Sequence, residues 1–127
     1  MSEYNKRMSD GDRAAIDKLL LEYEARGKVA QAKAAQAYAR LLQLAETRDS
    51  GQIRRIAQFL ASTYNSTAFP WDPYDLRSLD VEISDDMLSC LDALRWGKAD
   101  LYSLVPDGQK RVEFVIKQWG LQWPASD

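Results

Sequence analysis

Histidine is absent from the 127 residues, and cysteine occurs once, as Cys90. Without an imidazole near neutral pKa, Ser-His-Asp and Cys-His catalysis are excluded, together with metal sites built on histidine or clustered cysteines. A lone thiol forms no internal disulfide, and in the apolar register of "DDMLSCLDAL" Cys90 reads as a core residue rather than a redox group. No apolar run approaches the roughly 18 residues a membrane span needs, and "MSEYNKRMSDGDR" lacks the core of a signal peptide. A cytoplasmic protein with no membrane partner is expected. The six glycines are scattered among turns and helix stops, so no phosphate-cradling loop exists and no cofactor is expected. Carboxylates, lysines, tyrosines and hydroxyls remain, a poor kit for an enzyme; no catalytic and no metal-binding residue is assigned.

What is present suits a folded domain. Charged residues make up 28% and apolar ones 46%, a balance that separates globular from disordered chains. The length fits a single helical domain over 1–127, with 1–8 and 124–127 expected to be flexible. Ser9 to Asp12 offer a cap hydroxyl and a carboxylate before Ile16, Leu19, Leu20 and Tyr23 recur at helical spacing. The alanine-rich stretch that follows carries Ala34, Tyr38, Leu41, Leu42 and Ala45 as an apolar stripe, and Gly27 marks a place to kink or split it. Such a small-residue face is also a seam through which two copies can associate as a homodimer. Asp49 and Gln52 stand in capping-box spacing before a helix reaching Tyr64, and Pro70 with "NSTA" breaks it. Asp72-Pro73 reads as cap and first turn of a short helix, Ser84-Asp85-Asp86 as the start of another, and Asp107 as the cap of the last. No alternating strand exceeds "VEI". The expectation is an all-α, compact single-domain bundle of about six or seven helices, a long N-terminal helix or helix pair followed by shorter ones.

Charge is unevenly spread. Residues 1–55 carry +3, residues 72–92 carry seven acids against Arg77 alone, and residues 95–127 carry +1. An acidic island of this kind attracts a basic surface, including one that handles nucleic acid, because carboxylates can stand in for phosphates. The same aspartates also serve as helix-start residues, and the two roles are compatible. Its candidate binding residues are Trp71, Asp72, Tyr74, Asp75, Asp80, Glu82, Asp85 and Asp86, with the two rings supplying anchor area. Asp80, Glu82, Asp85 and Asp86 form the densest carboxylate cluster, but they lack calcium-loop spacing and its glycine. Lys33, Arg40, Arg54 and Arg55 form the rival, nucleic-acid-binding set; interleaved acids and a pI near 5.2 argue against it.

The run from "LLQLAETRDSGQIRRIAQFL" through "FPWDPYDLRSLD" to the "DDML" helix, residues 42–94, resembles a family of uncharacterised small proteins of proteobacterial integrative elements, plasmids and prophages. A looser echo lies in "VIKQWGL". Pro73-Tyr74 and the lack of a histidine after the acidic helix depart from the family pattern, and no catalytic residue is carried over from it. The resemblance implies a mobile-element setting, where small acidic proteins include anti-CRISPR and anti-restriction inhibitors that act by stoichiometric binding. The functional expectation is therefore a non-enzymatic protein-binding module whose partner is a complex with a basic nucleic-acid-binding surface. A DNA-associated regulator and a carboxylate-based metal enzyme are the alternatives.

Overall fold

The computed structural model describes residues 9–123, and the termini expected to be flexible lie outside them. The described residues form helices and no strand: α1 Asp10–Thr47, α2 Gly51–Tyr64, α3 Val81–Leu94 and α4 Gly108–Gln118, with 3-10 helices at Pro73–Ser78 and Leu101–Leu104. The all-α class and the long N-terminal helix are as expected. The helix number is not. Four α-helices stand among the described residues where six or seven helices were anticipated, because "PYDLRS" and "LYSL" make only short 3-10 helices.

α1 is a single helix of 38 residues, about 57 Å long, and Gly27 does not interrupt it. Gly27 is buried against Trp96, so the helix keeps its course there and the neighbouring chain comes close. Beyond it the buried face steps from Ala30, Ala34 and Ala37 to Tyr38, Leu41, Leu42 and Ala45. Small side chains along this face let α3 lie near the α1 backbone, antiparallel to it: Trp96 sits at Gly27 and Asp86 at Arg40. Ser9 caps α1 by accepting from the Asp12 N–H at 3.0 Å.

One core draws on all four helices, joining the α1 face to Ile53, Ile56 and Leu60 of α2, Met87 and Cys90 of α3, and Val112, Val115 and Ile116 of α4. Cys90 is fully buried and unpaired, as the register implied. Its one buried phenol is satisfied: Thr63 donates to the Leu60 carbonyl and accepts from Tyr38, 2.7 Å away. Two polar clamps tie α4 to α1. Arg111 makes a forked pair with Glu46 at 2.6 and 3.0 Å, and the Trp119 indole donates to the Ala45 carbonyl at 2.9 Å.

Candidate functional site

Two starts differ from the local sequence signals, and both shape the acidic region. At α2 the cap is Ser50, which accepts from the Ile53 N–H, so Gln52 is released from the expected capping box. Its amide instead reaches Asp80 on the far side of the loop: Oε1 accepts from the Asp80 N–H and Nε2 donates to Asp80 Oδ2 at 3.2 Å. This two-point contact fixes the chain just before α3, which begins at Val81 rather than at Ser84. "VEI" is thus helical in spite of its two β-branched residues, because Ile83 packs on the core there and tertiary contact outweighs propensity. Asp85 and Asp86 consequently stand in the second turn of α3.

From these starts the carboxylates fall into two groups. Asp80, Glu82, Asp85 and Asp86 line two adjoining clefts of about 640 and about 500 Å³, which share Leu44, Glu82 and Ile83. Asp49, read in the sequence only as a capping residue, faces the same region, so five acids meet Arg40 and Arg48. Leu44 and Ile83 give the cleft an apolar floor. Asp72 and Asp75 lie apart, on the 3-10 helix. Asp72 caps it by accepting from the Tyr74 N–H at 2.9 Å, as expected, while Asp75 approaches Arg55 at 3.7 Å.

Not all of this charge is available. Asp86 is only 16% exposed and takes a two-point bond from Arg40, at 2.7 and 3.0 Å, which raises the guanidinium pKa. Arg55 also donates to Ser78, so it holds the 3-10 helix from two sides. Asp80, Glu82 and Asp85 are exposed on the rim, and they carry the outward field. The two rings expected as anchors part company. Trp71 is half-buried with its ring edge-on to Phe59 at 5.0 Å, and its indole N–H has no partner among the described residues. Tyr74 is 67% exposed and is covered on one face by Arg77 at 4.8 Å.

The rival basic set is dispersed. Arg40 is bonded to Asp86, Arg55 to Ser78, and Arg54 donates to the Trp119 carbonyl at 3.4 Å, while Lys33 lies far along α1 beside Arg26. No group of three or more His, Cys, Asp or Glu among the described residues is placed to hold a metal ion. No described helix is long and apolar enough to cross a membrane. Chemically, the cleft offers acceptors above an aliphatic floor, an arrangement that suits the head and stem of lysine or arginine side chains.

Residues 35–120 match the model of a family of unknown function, DUF7673. The chain belongs to this family. The matched region holds the cleft, most of the core and all of α2 to α4, whereas α1 before Ala35, with the buried Ala30 and Ala34, lies outside it. No curated protein and no solved structure matches the chain.

Proposed function

We propose that this DUF7673 protein is a non-enzymatic binding module that seats basic side chains of a partner protein in the cleft between α1, α2 and α3. One observation carries the reading: Asp49, Asp80, Glu82 and Asp85 rim two adjoining clefts that share Leu44 and Ile83 as an apolar floor, inside the region that matches the family. A partner arginine or lysine lays its methylenes on that floor and bonds the rim with its head. Exposed Tyr74 and Asp72 extend the contact along the 3-10 helix, and Trp71 supports that loop from beneath.

A surface that accepts such carboxylates also accepts phosphates, so the bound protein competes with nucleic acid on its partner. In its narrowest form the partner is a nucleic-acid-handling complex of bacterial defence, and the protein is its stoichiometric inhibitor. This narrower form is supported by the mobile-element resemblance and by the charge of the cleft.

Affinity capture from a bacterial lysate tests the reading when wild type is compared with Glu82→Lys/Asp85→Lys. Both side chains are exposed, so the variant keeps its fold. Wild type retains a complex that added nucleic acid releases, and the variant loses it. Equal capture by both proteins would remove the cleft from consideration.

A further inference from the structure

Every residue from Ser9 to Arg26 is exposed. This half of α1 extends past the bundle as an arm about 27 Å long, outside the family match. It is not polar all round, as a solvated spacer would be. Ile16, Leu19, Leu20 and Tyr23 form a stripe in line with the buried face of the same helix, yet the first three are 39%, 58% or more exposed. Where the arm leaves the bundle, the guanidiniums of Arg26 and Arg95 lie over the Trp96 ring at 5.2 and 5.1 Å, with Tyr23 edge-on at 4.6 Å. Trp96 is only 8% exposed, and its indole nitrogen is buried with no hydrogen-bond partner among the described residues. Beside it lies a groove lined by Arg26, Val29, Ala30, Lys33 and Trp96 together with Arg95, which is paired with Asp92 at 2.7 Å.

We infer that the arm pairs antiparallel with the arm of a second copy, each tip seated in the groove at the root of the other. Charge selects both occupant and direction. Residues 10–17 carry Asp10, Asp12 and Asp17 against Arg13, residues 18–24 carry Glu22 and Glu24 against Lys18, and the root from 26 to 33 carries Arg26, Lys28 and Lys33 without an acid. Antiparallel pairing sets each acidic tip on a basic root, whereas parallel pairing opposes like charges along the whole length. A two-fold axis beside Leu19 and Leu20 places Ile16 opposite the partner's Tyr23, and Asp10 and Asp12 opposite the stretch from Arg26 to Val29. The same residues then serve both copies, as an isologous contact requires. α3 runs antiparallel to α1 and stops at Leu94, so the incoming arm continues its line, N-terminus toward the α3 C-terminus, and the helix dipoles align head to tail.

Sedimentation velocity on the full chain, from about 1 to about 100 µM, tests this. Wild type sediments as a dimer at the upper end. Ile16→Glu/Leu20→Glu, on the solvent-facing arm, sediments as a monomer across the range with unchanged helical circular dichroism. Asp12→Arg and Arg26→Asp each raise the dimer Kd by about tenfold, and the two together restore it to within about threefold. Because Arg26 also stacks on Trp96, that restoration separates pairing from damage to the root, and it decides the matter should the double glutamate variant lose helix. A monomeric wild type at the highest concentration overturns the inference, as does a dimer that survives both glutamates or a charge exchange that restores nothing.

Discussion

Cys90 shows how completely one side chain can be removed from chemistry. Packed in the core between α1 and α3, it has its pKa pushed up to about 12, chiefly by burial and secondarily by Asp86. Burial drives the Tyr38 phenol upward as well. Both groups are acids that ionise more readily once unfolded, so the stability they contribute is complete below their unfolded pKa values. For the thiol it erodes from about pH 8.5 upward through about pH 12. A neutral thiol reagent at pH 8 should therefore label Cys90 only at the rate of global unfolding, in both directions of a denaturant series; fast labelling of native protein would contradict its placement. Gln52 is the second residue with a sharp expectation. Gln52→Ala removes both bonds to Asp80, and a loss of about 1 to 2 kcal/mol should appear in urea melts. A cost near zero would mean that α3 is positioned by packing alone.

Elements were legible from the sequence wherever their signals are local. Ser9 caps α1 and Asp72-Pro73 opens the 3-10 helix as the spacing implied, and Gly97 and Gly120, two of the glycines assigned to turns and helix stops, take positive φ after their helices. Asp107 precedes α4 as expected, but in a left-handed conformation and without a side-chain cap bond. The start of α3 was not legible, because it depends on Gln52, 28 residues away. Likewise the carboxylate density was plain, whereas the neutralisation of Asp86 rests on Arg40, 46 residues distant, and nothing local announces it. Two glycines separate propensity from space. At Gly27 an added Cβ would meet Trp96 at 3.6 Å, ordinary contact, so Gly27→Ala should stabilise by about 0.5 to 1 kcal/mol through helix propensity. At Gly108 it would lie 1.8 Å from the Tyr102 carbonyl oxygen, a backbone clash, so Gly108→Ala should cost about 3 kcal/mol. Thermal melts of the two variants should move in opposite directions; matching shifts would refute the packing at one of them.

At the scale of the molecule, the described residues present two separate surfaces. The family region supplies a rigid bundle whose cleft collects charge from α1, α2 and α3, and the arm outside that region carries its own apolar stripe and charge gradient. The two surfaces meet different parts of α1, so arm variants should leave cleft binding intact, and cleft variants should leave oligomeric state intact. The most direct measurement is the affinity for the captured partner, by calorimetry at low and at physiological salt, for wild type and for Glu82→Lys/Asp85→Lys. An acidic contact that mimics phosphate predicts a wild-type Kd that weakens steeply with salt and a variant Kd weaker by about 100-fold or more, with most of the salt dependence gone. A variant that binds within about threefold of wild type, with the same salt dependence, would contradict the account.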